Sequence, residues 1–443
     1  MKFQGRKNEL AILERARQGA LQGPSRMTVV TGRRRIGKTT LIKKSVENER
    51  KLYLFVASTS EAVLCERFAR DAKNALGIFV PAGLTSFADL FEWLMISSKE
   101  APFTLIIDEF QNFLSVNESV YSLMQDIWDR LKDETHLHLV LSGSSYSMMK
   151  KIFEDAHQPL FGRATTKLTL RAFSPSDIKA VLAAETSDYT HDDLLALYTL
   201  TGGVPFYVAD LLDNGAVTRE KMIEWMLTPG TIYLMEGRDL LRLEIGNQSE
   251  RYQAVLGVMA GGATKMAEIS EKSGVDNVSA YLERLEGYGF VEKQRPIFAK
   301  ANSRNVRWTI KDPFLRFWFR FISPDEGLLE AGFPESTIEK IKTDYPTFSG
   351  PILERWFREA LMESGRYRAV GSWWNSARGA GGGQSEVDVV AVSIDGKKAY
   401  VAEVKRQRKS FREHEFRDKV EILKTTVLHG MDVETGCLTM EEM

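Results

Sequence analysis

Four short runs of apolar, β-favouring residues punctuate the first third of the chain, and polar residues follow each within two positions. They are Met27-Thr28-Val29-Val30, Lys51-Leu52-Tyr53-Leu54-Phe55-Val56, Thr104-Leu105-Ile106-Ile107 and His136-Leu137-His138-Leu139-Val140-Leu141. Unbroken apolar runs of this length suit strands of a parallel sheet covered on both faces. Between them apolar positions recur at helical spacing: Leu10, Leu13 and Ala16 in a helix that follows Phe3-Gln4-Gly5-Arg6, then the segments Glu61–Leu76 and Ser86–Ser97. From Ser174 onward the pattern turns to short helices, Asp177–Ala184, Asp192–Thr201, Pro205–Asp213 and Thr218–Leu227, with Pro205 placed to open one at its first position. Three more helices, Arg251–Ala260, Lys265–Ser273 and Val278–Tyr288, precede strand-like Phe290–Lys293 and Val306–Ile310. That order predicts a winged helix-turn-helix. Phe314, Trp318 and Phe321 share a helical face and read as packed, and Ser323–Pro334 reads as a linker. The last domain shows a helix over Pro351–Ser364, a short strand at Arg368–Ser372, a mobile glycine run at Gly379–Gly383, and a hairpin of Glu386–Val392 with Ala399–Arg406.

Composition changes this picture little. The 443 residues are 43% hydrophobic and 27% charged, with a formal net charge of −1, so no global basic field draws the chain to nucleic acid. Contact with DNA must come from local patches. Val291 to Lys311 holds six Lys/Arg against one acid, and Lys405 to Lys424 holds eight against four. The would-be recognition helix carries Glu283, Arg284 and Glu286, which suits protein packing as well as DNA contact. The two cysteines, Cys65 and Cys437, lack metal-ligand spacing and fit buried thiols in a reducing cytoplasm. The start has no apolar signal region, and no run of 18 apolar residues predicts a membrane span.

Candidate chemistry begins where the first strand meets the first core helix. Gly32-Arg33-Arg34-Arg35-Ile36-Gly37-Lys38-Thr39 matches G-x-x-x-x-G-K-T and runs on through Thr40 into a helix. The glycines allow a tight turn that aims backbone N–H groups at phosphate oxygens. Lys38 would reach the β- and γ-phosphates of ATP, and the Thr39 hydroxyl would ligate Mg²⁺. Asp108 and Glu109 end the third strand about 70 residues later. Asp108 would hold Mg²⁺ opposite Thr39, mostly through water, and Glu109 would polarise the attacking water. Ser142, at the end of the fourth strand, would either sense the γ-phosphate or cap a helix. His136 and His138 alternate on one strand face and read as packed or exposed rather than metal-bound, since no third ligand is evident. Arg163 would reach a nucleotide on a neighbouring subunit of a homo-oligomer, or simply pair with a carboxylate.

A second constellation lies near the end of the chain. Glu403 and Lys405 are two apart on one strand face, and the hairpin brings Asp388 beside them. Two carboxylates with oxygen ligands suit Mg²⁺, Lys405 can offset charge developing at a phosphate, and Glu354 on the preceding helix would add a ligand. A salt-bridged edge strand is the structural alternative.

On these residues, positions 1 to about 325 resemble the archaeal and bacterial P-loop ATPase family related to AAA+ and STAND NTPases. Gly5-Arg6, the loop, Leu105–Glu109, Ser142-Gly143-Ser144, Phe161-Gly162-Arg163 and Gly203-Val204-Pro205 carry the likeness. The last ~110 residues are similar to PD-(D/E)XK nuclease folds through Asp388, Glu403-Val404-Lys405 and a helix glutamate, although Val387 stands where the motif has proline. The resemblance implies an α/β P-loop NTPase three-layer core over 1–172, an α-helical lid over 173–245, a winged helix over 246–325 and a restriction-endonuclease-like α/β domain over 335–443. It places Pro205 near adenine and makes Arg163 an arginine-finger candidate. The expectation is an ATPase whose nucleotide state controls a metal-dependent nuclease acting on DNA. The alternatives are an ATP-driven switch that binds DNA or protein without cutting, and a scaffold that touches no nucleic acid.

Overall fold

The computed structural model describes residues 5–81, 83–246, 249–300, 302–375 and 385–443. Phe3, Gln4 and the glycine run Gly379–Gly383 lie outside them. The chain divides into two compact units, Gly5–Arg171 and Ala172–Met443. Among the described residues no helix is long and apolar enough to cross a membrane.

The first unit is built on five parallel strands, β1 (Arg26–Thr31), β2 (Lys51–Phe55), β3 (Phe103–Asp108), β4 (Leu137–Ser142) and β5 (Thr166–Thr169), in the order β2-β3-β4-β1-β5. Every residue of β3 and β4 is buried, as their apolar runs require. The sequence pattern gives no sign of β5. It is an edge strand with only Leu168 buried, so it has no apolar run to mark it. Helices Glu61–Leu76 and Phe87–Ser97 form as expected, and Ser86 caps the second by accepting from Asp89 N.

The core reaches the chemistry through Phe110, the residue after Glu109. Its ring packs against Phe113, Tyr121 and Phe153 at centroid distances of 5.8, 5.3 and 5.8 Å. Aromatic pairs of this kind add about 0.5–1.5 kcal/mol beyond their burial. They fix the turn on which Glu109 sits.

His136 and His138 are packed side chains. His136 Nδ1 lies 2.6 Å from the Gly23 carbonyl, and buried His138 Nε2 lies 3.0 Å from Thr28 Oγ1. Burial pushes the His138 pKa down to about 3. The unfolded chain protonates this ring near 6.5 while the folded chain refuses the proton. Stability from this group is therefore complete above pH 6.5 and falls as pH drops toward 3. Denaturant titrations across that window should show the loss, and His138→Gln should flatten it.

In the second unit the expected helices appear as Pro175–Glu185, His191–Thr201, Pro205–Asp213 and Arg219–Met226. Reciprocal capping boxes at Ser174/Asp177 and Thr190/Asp193 start the first two. Helices Glu250–Ala260, Met266–Ser273 and Val278–Gly287 lead to the antiparallel pair β6 (Val291–Gln294) and β7 (Arg307–Ile310). Phe314, Phe317, Trp318 and Phe321 are buried in and just after the short helix Pro313–Phe317, so none of them offers a stacking face. Ser323–Pro334 is not an open linker. It contains the helix Glu326–Glu330 with Leu329 buried, and Asp325 accepts from Thr337 at 2.8 Å.

Helix Gly350–Glu363 precedes a four-stranded sheet of β8 (Tyr367–Trp374), β9 (Glu386–Ser393), β10 (Lys398–Lys405) and β11 (Asp432–Thr439), in the order β11-β10-β9-β8. The β9/β10 hairpin is antiparallel as expected. β11 runs parallel to β10, a pairing that needs a crossover. Helix Glu413–Thr426 supplies it and buries Phe416, Val420 and Leu423, apolar positions hidden within a charge-rich run.

Candidate functional site

β1 ends at Thr31 and the chain turns at once through Gly32 (φ 145°) and Gly37 (φ 88°) into helix Lys38–Ser45. A Cβ on Gly32 would sit 2.8 Å from the Leu170 carbonyl, whereas nothing lies within 4 Å of one built on Gly37. The loop thus packs tightly on one side and leaves room at the helix start, where backbone N–H groups are available to an anion. Ile36 is buried and anchors the loop, while Arg34 and Thr40 are exposed. Arg35 takes a left-handed φ of 67°. The buried Lys38 ammonium donates to the Gly32 and Arg33 carbonyls at 2.8 and 2.9 Å. Arg6 donates to the carbonyls of Ile36 (3.3 Å) and Arg171 (2.7 Å), tying the loop to the two ends of the unit.

Asp108 closes the site from β3. It accepts from Thr39 Oγ1 (2.8 Å), Tyr53 OH (2.7 Å), Ser142 Oγ (2.6 Å) and Glu109 N (3.0 Å). Burial pushes its carboxyl up, but these donors outweigh burial and hold it below its ordinary value. Ser142 therefore holds the Asp108 carboxylate rather than capping a helix. The cap is Ser145, which accepts from Met148 N. Tyr53 is the contributor the sequence reading missed, because a tyrosine in an apolar strand carries no signal of its own. Ser142→Ala removes one donor from a buried carboxylate and should cost about 1.5–3 kcal/mol of stability, read from urea midpoints.

Glu109 adopts a left-handed φ of 55°, a strain of about 1–3 kcal/mol for a residue other than glycine. Its Oε2 accepts from Gln111 Nε2 (2.5 Å) and Ser144 Oγ (2.6 Å). Gly143 leaves room beside them: a Cβ there would fall 2.0 Å from Gln111 Oε1 and would push that side chain aside. ATP and Mg²⁺ fit this donor set, with open space at Gly37, an ammonium group at Lys38 and the Thr39 hydroxyl facing the Asp108 carboxylate.

Arg163 pairs within its own chain, with Nη2 2.8 Å from Asp129 Oδ2 and Nη1 donating to the Phe161 carbonyl at 2.9 Å. Pro205 belongs to the second unit, where it opens helix Pro205–Asp213 at the first position.

In the second unit Asp388, Glu403 and Lys405 do come together. Lys405 Nζ is 2.6 Å from Glu403 Oε2 and 3.5 Å from Asp388 Oδ2. Val404 N donates to Asp388 Oδ2 at 2.8 Å. Lys419, from the crossover helix, binds the other Glu403 oxygen at 2.7 Å. Glu354 pairs with Arg358 at 3.3 Å, and Arg358 also donates to the Asp388 carbonyl. Burial first, and the Asp388 charge second, push the Glu354 carboxyl up to about 7.

Asp388, Glu403 and Glu354, the expected metal set, stand in ion pairs, with Lys405 and Lys419 on Glu403 and Arg358 on Glu354. Among the described residues no three His, Cys, Asp or Glu side chains converge to hold a metal ion. Ammonium groups occupy both oxygens of Glu403. The basic segment between Val291 and Lys311 contacts the last sheet. Ile297 N donates to the Ser372 carbonyl at 2.8 Å, and Arg307 forms a two-pronged pair with Glu386 at 2.5 and 2.8 Å.

Loop, strand order and acidic strand end together define a P-loop nucleotide-binding fold in the first unit. The comparisons agree. Residues 3–211 match a family described as an ATPase domain predominantly from Archaea, and residues 318–417 match one described as archaeal and bacterial proteins of unknown function. The matched residues 3–211 take in the whole five-stranded unit and its phosphate loop. An uncharacterized protein of Methanocaldococcus jannaschii is 28% identical over 393 residues, covering 85% of this chain and 82% of that protein. A Walker-type ATPase of Pyrococcus abyssi superposes with a TM-score of 0.54 at 17% identity, over 71% of this chain and 95% of that one. The ORC2 protein of Aeropyrum pernix, solved in ADPNP and ADP complexes, gives a TM-score of 0.49 at 15% identity, over 77% and 96%.

Proposed function

We propose that this chain hydrolyses ATP as a switch, and that its last domain is a nuclease-like fold that engages DNA. The observation that carries the ATPase reading is Asp108 bonded directly to Thr39 across the mouth of the phosphate loop, with Glu109 next to it. Lys38 and the loop N–H groups would hold the triphosphate, and Thr39 with Asp108 would hold Mg²⁺. When bound, the metal ion neutralises charge on the β- and γ-phosphate oxygens. Tyr53 and Ser142 keep Asp108 ionised and fixed. Glu109 supplies the carboxylate that orients a water, once its bond to Ser144 gives way. In this reading Arg163, whose exposed pair with Asp129 is worth only about 0.2–1 kcal/mol, completes the site of an adjacent copy. The segments 173–245, 246–325 and 335–443 serve as lid, winged helix and nuclease-like domain. Phosphate release measured with and without duplex DNA tests the switch. Turnover that responds to DNA supports it, and absence of turnover removes it.

The convergence of Asp388, Glu403 and Lys405 favours a second reading, in which the last domain cuts DNA. Nicking of plasmid in Mg²⁺ or Mn²⁺, lost in Asp388→Ala and Lys405→Ala, would establish it. Activity unchanged by both substitutions would remove the assignment.

A further inference from the structure

Two elements frame the cluster of Asp388, Glu403 and Lys405. Helix Gly350–Glu363 reaches it through Arg358, which donates to the Asp388 carbonyl at 2.8 Å. Strand β10 ends on Lys405, and Arg406 is the next residue. Both elements are bonded to the helix pair Pro175–Glu185 and His191–Thr201. Arg406 Nη2 pairs with Asp192 Oδ1 at 2.5 Å, in the first turn of the second of these helices, and Arg219 holds the other Asp192 oxygen. Buried Tyr198, on the same helix, donates to Glu359 Oε2 at 2.6 Å, and its ring meets Trp356 edge-on with centroids 5.1 Å apart. Glu363 accepts from Ser174 Oγ (2.6 Å) and Ser176 N (3.2 Å), at the start of helix Pro175–Glu185.

These contacts divide the work. The aromatic pair keeps the helices docked on helix Gly350–Glu363. The two carboxylates fix how the helix pair is turned against the frame of the cluster, because each binds at a helix start with charge-assisted bonds of defined direction. The chain enters the first of these helices from beside the phosphate loop. The Leu170 carbonyl lies close enough to Gly32 to bar a Cβ there, Arg6 holds the Arg171 carbonyl, and Ser174 follows three residues on. Lys38 donates to the Gly32 carbonyl, so a loop that rearranges around phosphate acts on the stretch that leads to Ser174.

We propose that Asp192 and Glu363 couple the phosphate loop to the C-terminal cluster, so that nucleotide in the loop changes DNA affinity at Asp388, Glu403 and Lys405. This rests on the readings above that the loop holds ATP and that the last domain engages DNA, and it names the residues that join the two. Both are positioning residues, Glu363 acting through Ser174 and Asp192 through Arg406.

The test is thermodynamic linkage, in which each ligand must alter the other's affinity by the same factor. Duplex affinity is read by fluorescence anisotropy with and without a non-hydrolysable ATP analogue and Mg²⁺, and analogue affinity with and without duplex. Wild type is compared with Asp192→Asn, Asp192→Glu and Glu363→Gln. Wild type should show a factor of about 5 or more, Asp192→Asn and Glu363→Gln should bring it within about two-fold of one, and Asp192→Glu should restore it. Each ligand's affinity measured alone should stay at the wild-type level in every variant. The wild-type factor kept by Asp192→Asn or by Glu363→Gln overturns the proposal, as does a factor of one in wild type, while both readings stand. Variants that fail to fold, or that lose affinity for either ligand measured alone, assign the two residues to packing and also overturn it. Wild type that binds no analogue or no duplex removes the corresponding reading and the proposal with it.

Discussion

Lys38→Ala is expected to abolish ATP turnover and to weaken nucleotide binding by about 10- to 100-fold. Each hydrogen bond to a charged partner is worth about 1.5–3 kcal/mol, and Lys38 is the buried ammonium of the loop. In the structure it rests on the Gly32 and Arg33 carbonyls. These are weak holders for a cation compared with phosphate oxygens, so the side chain is poised to exchange one set for the other. The loop should survive the substitution, because Ile36 packing and the Arg6 bonds to Ile36 and Arg171 are untouched. Titration with a fluorescent ATP analogue and a phosphate-release assay check this. Wild-type turnover in Lys38→Ala would contradict the account of the loop.

Glu109→Gln should leave nucleotide affinity within a few-fold of wild type and slow hydrolysis by about 10²- to 10⁴-fold, the usual contribution of a positioned base. Glutamine fills the same volume and can keep a hydrogen bond from Ser144, so the left-handed turn and the Phe110 packing behind it should persist. What disappears is the negative charge that polarises water. The variant should therefore accumulate in an ATP-bound state, visible as unhydrolysed nucleotide that copurifies or is retained after desalting. Unimpaired turnover would remove Glu109 from the chemistry.

The phosphate loop and the acidic strand end were legible because each couples a residue pattern to an element boundary: glycines between a strand and a helix, acids at the end of a buried strand. What steadies them was not. Tyr53 reaches Asp108 from the neighbouring strand β2, and Ser144 reaches Glu109 from beyond β4. Spacing along the chain says nothing about which strands become neighbours. Sheet order does, and β2 lies beside β3, with β4 on its other side. The hairpin that joins Asp388 to Glu403 was readable from two charged β-runs. Lys419 was not, because it sits in a charge-rich stretch whose only clue to a packed helix is the spacing of Phe416, Val420 and Leu423. That lysine gives Glu403 a second ion pair beside the one to Lys405. The basic wing suits DNA contact and protein packing equally on its local charges. Its Arg307 meets Glu386, a long-range pairing that local charge counts cannot foresee.

The most direct measurement of the central claim is a structure of the Glu109→Gln protein with ATP and Mg²⁺. The account predicts triphosphate density in the turn between Gly32 and Thr39, with the Lys38 ammonium moved off the Gly32 and Arg33 carbonyls onto phosphate oxygens. A turn that stays closed, with Lys38 still on those two carbonyls at saturating nucleotide, would contradict it.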